Sequence, residues 1–348
     1  MTGGTSLLVA GQAVSLAPDG TFQVTVPLNP GMNVIELIAK ASDCRVAKRV
    51  LRAGKFAQYS QGAGSIAGVA PTLSVAIDSP VGGATVTNPY VTVSGSVINS
   101  TGAETGVVVN GVTAMLSGTR FVANRVPVSV GDNTISVTAT DANGQSATST
   151  STVSSAEGDY FRVTSNIDSG VAPLDLSLRL DASFPMSNKT LSVSGPVQCA
   201  VVPEEDGTYS VNLGFEGTYS ITATAMDPNG QTHVTDLAII VHSRSKLDTL
   251  LESKWNGMRA KIGAMDIDGA VQYLATPYRN FYRDGFLAVG TSLQYLNDYL
   301  RPIDLVYAIG ERAKARMTRQ DDVNGQIRQI EYVVYFIMEN GIWKLKGI

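Results

Sequence analysis

"VNGVTAMLSGTRFVANRVPVSVGDNTISVTATDANG", Val109 to Gly144, is a train of short strands separated by tight turns. In "TISVTATD", Thr134 to Asp141, apolar and small polar residues alternate, which gives a strand one buried and one wet face. The "GDN" and "DANG" segments supply the Gly and Asn that tolerate the backbone of tight turns. Val9 to Ala41, "VAGQAVSLAPDGTFQVTVPLNPGMNVIELIAKA", repeats the pattern. Gly11 matches Gly111, Phe22 matches Phe121, Gly31 matches Gly131, Asn33 matches Asn133 and Ile35 matches Ile135. A period of about 100 residues is the length of one small β-sandwich, so the chain holds two copies of one unit.

Further alternating strands, "TLSVAIDSP" and "YVTVSGSVIN", precede the second copy and complete it over residues 71–155. A "VNG" turn, a Phe and "VGDNTISVTATDANG" resemble bacterial immunoglobulin-like modules of the glucodextranase B-domain type, which are appended to secreted and surface proteins. The first copy, residues 1–53, is partial. Leu28 to Ala41 reads as its last two strands, with too little chain before them for the rest. A sandwich in that state exposes unpaired edges and an open core, and captures a strand from another chain. Repeated head to tail, such capture builds a filament. The candidate assembly edge is the Gln23-Val24-Thr25-Val26 segment together with Ile35 and Leu37. The Gly/Ala/Ser-rich residues 54–70 read as a flexible linker, or as chain that folds back to fill the gap.

The third piece, residues 156–245, opens with "GVAPLDLSLRL" and closes with "GTYSITATAMDPNG". These ends resemble the polycystic-kidney-disease (PKD) type of immunoglobulin-like domain, without that family's central aromatic and Gly-Asp-Gly signature. From Lys246 the period changes. Leu247, Leu250, Leu251, Trp255, Met258 and Ile262 recur at helical spacing, and "DIDGAVQYLA", "PYRNFYRDGFLAV" and "SLQYLNDYL" predict further helices, with Asp266 or Asp268 as a cap. Strands follow from Ile303 to the end, with Asn340-Gly341 as a hairpin turn. Helices and then a meander closing in "NGIWKLKGI" resemble the nuclear-transport-factor-2-like cone, also called cystatin-like or SnoaL-like, over residues 246–348. The fold class expected is therefore mainly β, tandem immunoglobulin-like sandwiches followed by a C-terminal α+β cone of helices packed on a curved antiparallel sheet.

Charged residues are 16% of the chain against a typical ~25%, and the net charge is −4. That balance argues against nucleic acid or an anionic membrane as partner, both of which need a concentrated basic face. No apolar run reaches the ~18 residues of a membrane span. Cys44 and Cys199, the two cysteines, fall in different pieces and read as packed thiols rather than a disulfide or metal site.

Three clusters could carry chemistry. "DANG" (Asp141–Gly144), "DPNG" (Asp227–Gly230) and "DIDG" (Asp266–Gly269) hold oxygen ligands, but none reaches a full calcium loop; turns and a helix cap are the favoured readings, and no cofactor is expected. Tyr278, Tyr282, Asp284, Tyr295 and Tyr299 are the candidate pocket of the cone, where relatives of that fold place catalytic Asp, Tyr or His; at spacings of four they equally form a packed aromatic face. The C-terminal piece has no histidine, since His233 and His242 precede it. Arg312, Lys314, Arg316 and Arg319 alternate with Ala313, Ala315 and Met317 and are read as one wet face of a strand. No catalytic residue, metal ligand or cofactor site is assigned, and no enzyme activity is expected.

The function expected is that of a non-catalytic stalk or scaffold for adhesion or assembly, secreted or on the surface of a bacterium, with any leader absent from this chain. Its partners would be proteins, further copies of itself among them, with carbohydrate also open. Two alternatives stand beside it: the stalk of a larger secreted Rhs-type protein, and small-molecule binding or isomerase-like activity in the cone.

Overall fold

The alternating segments form strands, and four of them open the chain: β1 (Ser6–Val9), β2 (Gln12–Val14), β3 (Gly31–Lys40) and β4 (Val46–Lys55). The computed structural model describes residues 6–17, 21–27, 31–40, 46–55, 73–197 and 199–347. Cys44, Leu28 to Pro30, Ala41 and residues 56–70 of the expected linker lie outside the described residues. The chain divides into two units, Met1–Ala70 and Pro71–Ile348. In the first, the strands make one antiparallel sheet of order β2-β1-β3-β4. The two closing strands are thus β3 and β4 and reach Lys55; they do not both lie within residues 28–41, because Gly31 to Lys40 runs as one unbroken strand.

The second unit opens with β5 (Leu73–Ser79), β6 (Ala84–Val86), β7 (Tyr90–Asn99), β8 (Thr105–Val109), β9 (Val112–Ser117), β10 (Arg120–Pro127), β11 (Gly131–Asp141) and β12 (Ser146–Ser155). Their order is β5-β7-β10-β9-β8-β11-β12-β6, and β5 packs back against β11 and β12 to close a sandwich. Val93, Val97, Val107, Val109, Phe121, Ile135 and Val137 fill it, each contributing about 2 kcal/mol by burial. The repeat holds at the level of register. Val9 pairs Leu37 as Val109 pairs Val137, and Gly31 pairs Lys55 as Gly131 pairs Ser155. The hairpin turns match as well: Ala10 and Gly11 have φ of 50° and 80°, Asn110 and Gly111 of 46° and 84°.

The copies part company at β10. Its counterpart, residues 21–27, lies in no strand, and the first unit has no equivalent of β7, on which β10 pairs, among the described residues.

The third module comprises β13 (Phe161–Ser165), β14 (Ser169–Val171), β15 (Leu174–Ala182), β16 (Ser187–Ser194), β17 (Val202–Pro203), β18 (Tyr209–Leu213), β19 (Gly217–Met226) and β20 (Thr232–His242). One of its sheets is β13-β15-β18-β17. Leu174, Leu176, Leu178 and Leu180 of β15 face inward at strict alternation, and the buried Tyr219 donates its hydroxyl to Phe215 O at 3.2 Å. The C-terminal module packs α1 (Arg244–Gly263), α2 (Ile267–Val271) and α3 (Arg279–Val289) on β21 (Ile303–Ile309), β22 (Arg312–Val323), β23 (Gln326–Glu339) and β24 (Ile342–Gly347). Leu247, Leu251, Trp255, Met258 and Ile262 of α1 are buried there, and Asp266 caps α2 through Gly269 N at 2.8 Å. The expected helix "SLQYLNDYL" is a 3-10 stretch, Gly290–Asp298.

These modules are not independent. The second sheet of the third module and the C-terminal meander form one eight-stranded sheet, β16-β19-β20-β14-β21-β22-β23-β24. The bridge is β14, parallel to β20 over Ser169 to Val171 and antiparallel to β21 at Gly170 and Ile309, where Gly310 N donates to Ser169 O at 2.9 Å. Gly170 permits this approach, since a Cβ there would lie 2.6 Å from Leu174 and 3.2 Å from Ala308 O. The second module closes onto the pair. Met115, Val122 and Ile240 form a buried cluster joined by Ala238 and Met338.

Candidate functional site

None of the five candidate pocket residues lines the clefts of about 490, 480 and 320 Å³ found among the described residues. Tyr282 packs on Phe286 at 6.0 Å and edge-on to Phe281 at 5.3 Å, while Tyr278 is half-buried just ahead of α3. Asp284 is exposed, and Tyr295 and Tyr299 are 59% and 54% exposed. Beneath them the space between helices and sheet is filled by Leu251, Trp255, Met258, Ala315, Val334 and Phe336. The five fall on two elements, Tyr278, Tyr282 and Asp284 at α3 and Tyr295 and Tyr299 at the 3-10 stretch, where a spacing of four does not share a face.

An acid beside a tyrosine does occur in this module, at a place the sequence reading passed over. Tyr332 donates to Asp321 Oδ2 at 2.6 Å, and Arg319 meets both Asp321 oxygens at 2.6 and 2.9 Å. The guanidinium lies 4.9 Å from the Tyr332 ring centroid and 5.2 Å from that of Tyr299. Arg319 therefore does not share a face with Arg312, Lys314 and Arg316; its odd number puts it on the inner face with Ala313, Ala315 and Met317. The hydrogen bonds from Arg319 and Tyr332 hold the Asp321 carboxyl below the usual carboxylate range. A carboxylate so stabilised is a poor proton acceptor, and the trio instead ties β22 and β23 to the 3-10 segment.

The Asp-x-Asn-Gly segments are hydrogen-bonded turns. Asp141 Oδ1 accepts from Asn143 N and Gln145 N, both at 2.9 Å, and Oδ2 accepts from Asn99 Nδ2 at 3.3 Å. Asp227 repeats the arrangement with Asn229 N and Gln231 N, its second oxygen 3.2 Å from His233 Nε2. Burial opposes ionisation of Asp227, but the Gln231, His233 and Asn229 contacts outweigh it and lower its pKa. Among the described residues no group of three or more His, Cys, Asp or Glu is arranged to hold a metal ion.

One constellation that brings all three modules of the second unit together is a cleft of about 480 Å³. The second module contributes Asn99 and Glu104, the third His242, and the C-terminal module Leu247, Leu250 and Trp343. His242 ends β20 immediately before Ser243, the N-cap of α1. Its Nε2 is buried without a hydrogen-bond partner, and desolvation lowers its pKa to about 4, so the ring is neutral at pH 7. At the wall, Glu104 Oε1 accepts from Trp343 N at 2.8 Å and Oε2 forms an ion pair with Lys254, the two side chains being 11% and 14% exposed. Gly106 lies so near the β23–β24 turn that a Cβ would fall 2.0 Å from Asn340 O. Nothing in the local sequence marks Glu104 and Lys254 as partners, 150 residues apart.

In the first unit, Val24 and Val26 are half-buried while Gln23 and Thr25 are exposed, so the segment keeps a strand's alternation outside any strand. Ile35 and Leu37 are half-buried in β3, an inner strand of its sheet. Leu37 pairs with both Val9 and Arg49, whereas Ile35 lies beyond the reach of β1 and pairs with Leu51 alone.

No family model and no curated protein matches the chain. Similar solved structures include the fibronectin(III)-like modules of Clostridium thermocellum CbhA, at 18% identity over 49% of this chain and 94% of that one, TM-score 0.19. A tetra-tandem repeat in the extending region of a large adhesion protein is 18% identical over 69% of this chain and 66% of its own, TM-score 0.20. Dimeric latent PorU from Porphyromonas gingivalis is 14% identical over 69% of this chain and 30% of its own, TM-score 0.32. These likenesses are too distant to carry function. The chain's sheets themselves define it as mainly β, with tandem immunoglobulin-like sandwiches and helices near the C-terminus.

Proposed function

We propose that the protein is a non-catalytic scaffold for adhesion or assembly, secreted or displayed on a bacterial surface, in which the second unit is a rigid body and the first is the point of attachment. The observation that carries this reading is the sheet that runs through β14 from the third module into the C-terminal one, sealed by the Glu104–Lys254 pair against the second. Such a body suits bearing load or fixing spacing better than a chain of beads on linkers. The apolar filling between the C-terminal helices and sheet, and the paired state of Asp321, favour a structural role over isomerase-like chemistry for a cone of the nuclear-transport-factor-2-like kind. The same arrangement would also serve as the stalk of a larger secreted Rhs-type protein.

Self-assembly enters through the first unit. Residues 21–27 correspond to β10, and β10 is ordered by pairing with β7. A β7-like strand supplied by another copy or another protein would complete the sheet by strand addition. Light scattering of the purified chain over a range of concentrations tests this: mass rising with concentration is expected, and a peptide spanning residues 73–99, which carries β5 and β7, should suppress the rise. A concentration-independent monomer that ignores the peptide defeats self-assembly and leaves the scaffold reading standing.

A further inference from the structure

A second cleft, of about 490 Å³, runs between the second and third modules, away from His242. Its volume lies within the roughly 300 to 1,000 Å³ of small-molecule sites. Its chemistry differs from that of the junction. Asn88, Tyr90 and Arg125 from one wall face Arg162, Thr235 and Asp236 from the other.

The two arginines are already neutralised. Arg125 is ion-paired with Asp168, and Arg162 with Asp181 through Nε at 2.7 Å. The guanidinium forks therefore bring N–H donors to the cleft without net positive charge, and Asp236, whose Oδ1 accepts from Thr222 Oγ1 at 2.5 Å, adds an acceptor through its second oxygen. Asn88 donates from Nδ2 to Phe161 O at 3.2 Å, while its Oδ1 is buried with no hydrogen-bond partner. Tyr90 is half-buried, with the Arg162 guanidinium 5.9 Å from its ring centroid.

Interleaved donors and acceptors, neutralised arginines and one ring suit a ligand whose every hydroxyl both gives and takes a hydrogen bond and whose C–H faces lie on an aromatic. An apolar ligand would strand the polar groups without water. A carboxylate or phosphate would meet arginines already neutralised and the Asp236 charge besides. We propose that this cleft binds a neutral oligosaccharide, which adds a ligand to the scaffold and does not depend on self-assembly.

Calorimetric titration of the full chain with cellotriose, maltotriose, laminaritriose and chitotriose, with trigalacturonate as the anionic control, tests the proposal. At least one neutral sugar should bind with Kd of about 1 mM or tighter. Tyr90→Ala and Asp236→Ala should each weaken it by about tenfold or more. Asp236 is exposed on β20, so its substitution leaves the core intact and moves the unliganded thermal midpoint only by the loss of the Thr222 Oγ1 hydrogen bond, even if the Tyr90 variant folds poorly. The proposal is overturned if none of the four neutral sugars binds at about 10 mM. It is equally overturned if trigalacturonate binds more tightly than all of them, or if Asp236→Ala binds the sugar as the parent does.

Discussion

His242 makes stability depend on pH through a group that no salt bridge advertises. Its folded pKa of about 4 lies below the ordinary 6.5, so between those values the unfolded chain binds a proton that the folded one refuses. Stability is complete above pH 6.5 and is lost as pH falls toward 4. From pH 7 to pH 5 the loss due to His242 is about 2 kcal/mol. Denaturant unfolding of His242→Phe at the two pH values should show that much less dependence; an unchanged slope would mean the ring is solvated. The carboxylates with lowered pKa, Asp206, Asp227, Asp266 and Asp321, act below the ordinary carboxylate value, whereas Asp168, raised by desolvation, offsets part of the His242 loss as pH falls. At this scale the sequence was readable wherever bonding is local. The Asp141 and Asp227 turns close within four residues, and Asp266 caps its own helix. Arg319 was misplaced although its parity was in plain view, and the His242 environment was hidden because it is built from distant chain.

The strands carry their own evidence, since period-2 alternation survives into the register shared by β1–β3 and β8–β11. Two elements resisted reading. A strand as short as β14, Ser169–Val171, has no period to detect. Residues 21–27 show the converse: they have the alternation, yet a strand needs a neighbour as well as a pattern. The approach of β8 to the β23–β24 turn yields a prediction. Gly106→Val would drive its side chain into Asn340 O, forcing the turn away and breaking the Trp343 N–Glu104 bond, at about 1–3 kcal/mol. Gly285→Ala in α3, where a Cβ meets nothing within 4 Å, serves as control. It should stabilise by up to about 1 kcal/mol. Equal losses in the two variants, measured by denaturant midpoint, would remove the close approach from consideration.

Across the whole second unit, cohesion rests on contacts that no module makes alone. Lys254→Met leaves Glu104 facing Trp343 N with its ion pair gone, at a cost of about 3 kcal/mol. The double variant with Glu104→Gln should recover much of this, because the uncompensated charge is then removed too. Calorimetry should show the parent unit melting in one transition and Lys254→Met lower or split; identical traces would mean the seam contributes nothing. The β14 bridge bears on inheritance. A gene fragment ending at His242 would encode a sheet whose last strand, β14, has lost the neighbour it was shaped to touch, with Ser169 O and the bare Gly170 left facing water. Bead-like modules can be shuffled between genes one at a time. Here a piece that keeps the β14 junction whole must carry the third and C-terminal modules together.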